Sequence, residues 1–186
     1  MDLQHVNVKI FVEGLLGVDP SRFINVFHEW IQEKALPELL IDVADYCHVP
    51  EGPGVLLIAH ETDYGMDHTD GRWGLRYNRK APLSGTNEDR FRQALHAAAN
   101  ACLKLEGRFA TEGSLKFSRR ELEIFINDRA LAPNTPEHYA AFQSIAAPIL
   151  TSLIKNSGFE MQRHPDARKR LGFTARFASP FTLETI

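Results

Sequence analysis

Six side chains able to ligate a metal fall within eleven residues of this chain: His60, Glu61, Asp63, Asp67, His68 and Asp70. Imidazole and carboxylate together are ordinary ligands of a divalent ion. Their spacing, however, matches neither H-E-x-x-H nor the EF-hand loop. Asp70-Gly71 also stands between two extended stretches. Asp-Gly in that setting signals a tight hairpin, because a type I′ turn needs positive φ at both central residues. A two-residue turn there pairs Thr69 with Arg72, and so sets Glu61 opposite Lys80, Asp63 opposite Asn78, Gly65 opposite Arg76 and Asp67 opposite Gly74. Arg76 then lies diagonally within reach of Asp63 and Asp67. On the other face His68 meets Trp73, Met66 meets Leu75 and Tyr64 meets Tyr77. The histidines and the acids are thereby split between faces, and cations neutralise the acids. No metal and no cofactor is expected.

Other chemistry is sparser. Cys47 precedes His48 in a loop, but neighbours in extended chain point to opposite sides, so a thiol–imidazole pair is not expected there. Asp42 interrupts an apolar strand, where a carboxylate is either solvated or buried with a raised pKa. Gly14-x-x-Gly17 lies between a strand and a helix without the further glycines or the Gly-Lys-Ser/Thr of phosphate loops. The chain contains no G-x-S-x-G elbow. Loops at strand ends are where sites tend to sit. The candidate ligand-binding residues are therefore Asp42, Tyr46, His48 and His60, around the strand ends and the VPEGPG loop.

The elements that must position these residues follow from periodicity. Val6, Val8, Ile10 and Val12 alternate with His5, Asn7 and Lys9, which predicts a half-buried strand. Asp19-Pro20 announces a helix whose stripe is Phe23, Val26, Phe27, Trp30 and Ile31, ended near Pro37. Strands are expected over 39–45 and 54–61, the second covered on both faces, and then the hairpin arms. Thr86 with Asp89 caps a second helix, with Phe91, Leu95, Ala98, Cys102 and Leu105 inward. SLKFS and RRELEIFINDR read as a strand pair. Thr135 and Pro136 open a third helix that Pro148 should kink and Gly158 end. FEMQRHP and LGFTARF close the chain as a last pair. The fold class is two-layer α+β: about seven or eight mostly antiparallel strands with three helices, in the order β-α-β-β-β-α-β-β-α-β-β. The first and second strands could form one parallel pair through a right-handed crossover. Residues 1–178 should form a single domain and 179–186 a loose C-terminal tail.

With 186 residues, 44% hydrophobic and 24% charged, the chain is neither disordered, collagen-like nor a coiled-coil rod. A chain this long buries roughly 70% of its unfolded surface without disulfides. Two cysteines and an N-terminus lacking a basic and then apolar leader point to a soluble cytoplasmic protein, with no membrane partner. Its net charge of −3 conceals a split, −10 over residues 1–70 and +7 over 71–186. The boundary falls in the hairpin turn, so the split is largely spent within one fold. Arg163, Arg168, Lys169, Arg170 and Arg176, with Phe173 and Phe177 nearby, raise the nucleic-acid question. A pI of about 6.2 and the acidic half argue against it. The function expected first is a non-catalytic binding or assembly module, with a homo-oligomer or a small molecule as partner. The alternative is a small-molecule enzyme of an unfamiliar family using the 42–60 strand ends.

Overall fold

The computed structural model describes residues 1–111, 115–154 and 158–186. Eight strands form one sheet: β1 (Val6–Val12), β2 (Leu40–Tyr46), β3 (Gly54–Ala59), β4 (Thr62–Asp67), β5 (Gly74–Arg79), β6 (Phe117–Ile126), β7 (Phe159–Arg163) and β8 (Gly172–Phe177). Three helices accompany it: α1 (Arg22–Glu33), α2 (Asn87–Arg108) and α3 (Pro136–Ser152). Strands lie in the order β2-β3-β4-β5-β1-β6-β8-β7, and every neighbouring pair is antiparallel. This is the α+β arrangement that periodicity predicts. No parallel pair exists among the described strands, because β1 threads between β5 and β6 and stands three strands away from β2.

Two details differ from the expected order. Residues 117–126 form one ten-residue strand rather than part of a pair. The irregularity near Ser118 is absorbed by a bulge against β1 between Ile10 and Val12, while the Ser118 hydroxyl accepts from the Arg120 and Glu121 amides at 3.1 Å each. Ser114, where that first strand was to begin, and the stretch just before Gly158 lie outside the described residues. Helix α3 runs unbroken through Pro148 to Ser152. Ser144, whose carbonyl loses its donor to the proline, is on the solvent side, where water can replace it.

All three helices pack on one face. Val8, Ile10, Leu57, Leu75, Ile124 and Phe173 are fully buried beneath them. Helix α2 turns the expected stripe inward, Phe91 to Leu105, under a Thr86–Asp89 capping box. Helix α1 covers the β2–β3 end. Phe142 of α3 meets Phe91 and Phe173 at 6.2 and 5.2 Å between ring centroids. The residues expected as a loose tail also dock here: Phe181 and Leu183 are each 2% exposed, and Phe181 packs edge-on against Phe177 at 5.0 Å. Two aromatic rings with an apolar neighbour are worth more buried than in water. Among the described residues no helix lies over the opposite face.

Candidate functional site

Alternation along β1 sends Asn7, Lys9 and Phe11 to that uncovered face, and register supplies their neighbours. Lys9 lies between Arg76 of β5 and Glu123 of β6, and beyond it Glu123 pairs with Thr174 of β8. Asn7 lies between Asn78 and Phe125 in the next row. The face is therefore a lattice of charged and amide side chains. Gly74 allows the Lys9 stem to pass, since a Cβ there would stand 3.0 Å from Lys9 Cε and 2.7 Å from the Ile10 carbonyl.

The floor is buried and ionised. Asp67 is 0% exposed and Lys9 2%. Lys9 Nζ donates to Asp67 Oδ2 at 2.7 Å and to the Thr69 carbonyl at 3.1 Å, while the Thr69 hydroxyl and Arg76 Nη1 reach Asp67 Oδ1 at 2.6 and 3.0 Å. A carboxylate taken out of water needs such a donor set, because an unpaired buried charge is prohibitively costly. Asn7 and Lys9, expected on a solvated face, are instead the buried base of a groove. What covers them is the turn between β7 and β8, residues 164–171. It is held across the sheet by Lys169 Nζ on Asp70 Oδ1 (2.8 Å) and by His164 Nε2 on Glu123 Oε1 (3.0 Å). The hydrogen bond from Lys169 holds the Asp70 carboxyl below its ordinary range. On the near rim Arg72 forms a two-pronged pair with Glu121, at 3.1 and 2.7 Å, and lies 3.7 Å over the Phe11 ring.

Three adjoining hollows open along this face. One, of about 140 Å³, is bounded by Asp67, Arg76, Phe125, Arg129, His164 and Arg170. A second, of about 310 Å³, lies over Lys9, Phe11, Glu123 and Thr174. The third, of about 350 Å³, is lined by the amides of Asn7, Asn78 and Asn127 with Tyr46, Leu56 and Arg170. Arg170 sits 5.3 Å above the Phe125 ring. Burial, with repulsion from Arg76 and Arg129, pulls its pKa below the usual arginine value.

The expected hairpin is present in the expected register, Thr62 to Asp67 against Arg79 to Gly74. Asp70 and Gly71 both adopt positive φ, 59° and 71°, and His68 stacks on Trp73 at 4.5 Å. The ion pairs within it are redistributed. Glu61 pairs with Arg79 and Asp63 with Lys80, and Arg76 serves Asp67 alone. Its aromatic side faces the helices, with Tyr64 and Tyr77 at 1% and 0% exposure. Phe173 and Phe177 are likewise in the core, so the aromatics near the basic segment form no stacking platform.

Of the four candidate residues, Tyr46 alone borders one of these three hollows. His48 is beside it, 6.4 Å between ring centroids, and is exposed. Asp42 is exposed on the outermost strand and accepts from its neighbour's amide, Val43 N, at 2.8 Å. His60 is exposed at the other end of β3, its amide bonded to the Leu39 carbonyl. Six residues of β3 separate it from the 46–53 loop, about 20 Å at roughly 3.3 Å per residue. Strand β3 is buried on the helix side but only half-buried at Leu56 and Ile58 on the other face, not covered on both faces as expected. Desolvation, then the Asp45 carboxylate, push the Cys47 thiol up to about 11, which disfavours the thiolate that a nucleophile needs. The groove-lining residues overlooked in the sequence are Lys9, Glu123, Arg129 and His164, while Arg170 drew notice there only as part of the basic segment. A lysine inside a strictly alternating strand reads as solvated, and only contacts spanning the whole chain show otherwise.

The chain matches no protein-family model, no curated protein and no solved structure.

Proposed function

We infer that this protein is a non-catalytic binding module whose small-molecule ligand lies on the open face of the sheet, beneath the 164–171 turn. One observation carries the reading: the Lys9–Asp67–Arg76 network runs beneath three adjoining hollows, with Asp67 and Arg76 lining that of about 140 Å³, Lys9 that of about 310 Å³ and Arg76 that of about 350 Å³. The two larger sizes fall within the usual range of about 300–1,000 Å³ for small-molecule sites. Ionic groups locked to one another orient a ligand well and transfer protons poorly, which favours binding over catalysis. The alternative, an enzyme acting through Asp42, His48 and His60, is weakened by the length of β3 between the two histidines. With Cys47 and Cys102 both unbridged, a reducing compartment such as the cytoplasm suits the chain. Among the described residues no helix is long and apolar enough to cross a membrane.

The test is a screen of small polar metabolites by thermal shift, with each hit mapped by amide chemical shifts. Hits are expected to raise the melting temperature and move Asn7, Asn78 and Phe125. Shifts confined to the helical layer, or to the surroundings of His60, would refute the reading.

Assembly has separate support. Strand β2 is an open edge, and Leu39, Ile41 and Tyr46 beside it are 70%, 55% and 41% exposed. Open edges and clustered apolar side chains favour pairing with another strand. A second copy of this chain is the natural occupant. Native mass spectrometry should show an oligomer that Ile41→Lys dissolves, and a monomer for the unaltered chain would discard this part.

A further inference from the structure

The binding reading leaves the ligand's chemistry open, and the arginines narrow it. Arg76, Arg129 and Arg170 come from β5, from the segment after β6 and from the turn before β8, and they converge on the 140 Å³ hollow above Phe125. Arg76 is committed to Asp67 on one side. Arg129 and Arg170 make no ion pair among the described residues, while the nearby Asp67 is held by Lys9 and Arg76, Asp70 by Lys169, and Glu123 by the His164 ring. Guanidinium groups placed together repel one another, and Asp67 and Glu123 offset this only in part at Arg170. The depressed pKa of Arg170, set by burial and then by Arg76 and Arg129, registers that repulsion. Such an arrangement is stabilised when an oxyanion arrives, since guanidinium forks bind carboxylate and phosphate oxygens in two-pronged fashion.

Charge specifies the anion further. Lining this hollow and the adjoining one are six cationic side chains, Lys9, Arg72, Arg76, Arg129, Lys169 and Arg170. Against them stand four carboxylates, Asp67, Asp70, Glu123 and Asp166. Counting lysines, arginines and carboxylates alone, the excess is two positive charges. The third hollow shares Arg76, Phe125 and Arg170 with the first, so the groove is continuous. It continues into amides, Asn7, Asn78 and Asn127, which offer donors and acceptors to a neutral polar group.

We propose that Arg76, Arg129 and Arg170 form a subsite for a doubly charged oxyanion, the phosphoryl group of a small phosphate monoester, whose neutral polar part extends over Asn7, Asn78 and Asn127. This rests on the open face being the binding site. The 164–171 turn then has a role: it brings Arg170 to the groove, with Lys169 on Asp70 fixing its position. Phe125 supplies a flat apolar support on which the Arg170 guanidinium is held.

Titration of the full-length protein with inorganic phosphate, glycerol phosphate, acetate and glycerol, followed by arginine side-chain and backbone amide signals, tests this. Inorganic phosphate should saturate, moving the arginine Nε–H signals and the Phe125 amide, and glycerol phosphate should bind more tightly by adding shifts at Asn78 and Asn127. Arg129→Gln and Arg170→Gln, both exposed positions, should each weaken phosphate binding by about tenfold, the scale of one charge-assisted hydrogen bond. Arg92→Gln, on the exterior of α2, should leave the isotherm unchanged. Equal binding of acetate and phosphate would overturn the doubly charged assignment. An isotherm indifferent to Arg129→Gln and Arg170→Gln would overturn the subsite. If neutral compounds move Asn7, Asn78 and Phe125 while phosphate and its ester move nothing, the binding module stands and the arginine subsite falls. Silence from every probe, neutral and anionic, sinks both.

Discussion

The two faces of this sheet are built from the same strands, one residue apart, and they are held by different forces. Beneath the helices, Val8, Ile10, Leu75, Ile124 and Phe173 are buried without a polar partner to satisfy. On the opposite side, Lys9 and Asp67 are buried just as deeply, and their burial is tolerable only because each is the other's counter-ion. Apolar packing is forgiving of which neighbour supplies the contact. An ionic floor is not, since loss of one member strands another charge in a site without water. The helical face thus stabilises the fold, while the open face stores oriented charge.

The sharpest way to break this contrast is to delete one group from each face. Phe173→Ala is expected to cost about 3–5 kcal/mol as a core truncation. Asp67→Ala should cost a similar amount, about 3–5 kcal/mol, by leaving Lys9 and Arg76 unpaired. The two part company on repair: the double variant Lys9→Met/Asp67→Leu should recover most of the loss in urea melts, whereas no second deletion rescues Phe173→Ala. Failure of that repair would show that the ionic floor contributes net stability. A smaller effect is due at the start of α2, where Thr86→Ala removes a cap bound to the Asp89 amide at 3.1 Å and should cost about 1 kcal/mol. Arg72→Gln on the open rim breaks a partly solvated pair with Glu121 and should lower stability by about 0.2–1 kcal/mol.

The smallest effect is one of pH. Asp70 titrates below its ordinary value of 3.8 because Lys169 donates to it. A carboxyl lowered in the folded state contributes above its unfolded pKa and loses that contribution as pH falls through the folded one. The protection of the 164–171 turn amides against hydrogen exchange, relative to their intrinsic rates, should therefore fall in acid, below about pH 4, with the helical face unaffected. Asp70→Asn should abolish that pH dependence.

Local chemistry made much of the fold legible. Asp70-Gly71 supplied two positive φ values, and alternation to either side then set every pair of the β4–β5 hairpin. Thr86 and Thr135 marked helix starts through hydroxyls that accept from amides three residues on. The charge boundary in that turn did mark a strand folding back on its partner, though Asp63 takes the Lys80 expected for Glu61 and Glu61 turns to Arg79. Of the acids in residues 29–51, Asp42 and Asp45 lie on β2 at one edge of the sheet, while the basic segment 163–176 begins at the end of β7 at the other edge.

The site was scarcely legible, for a physical reason. Tyr46 borders one of the hollows and lies where sequence alone points, at a strand end beside an irregular loop. Lys9 and Asp67 are 58 residues apart, and Lys169 and Asp70 are 99 apart. No period or spacing encodes such meetings. Hydrophobic alternation determined which residues of each strand share a face, because side chains of a pleated strand point to opposite sides by construction. Only the tertiary structure decided which strands lie side by side. By inserting β1 between β5 and β6 it turned a lysine in an apparently solvated row into the buried base of a groove, and it brought three arginines from distant segments to one rim.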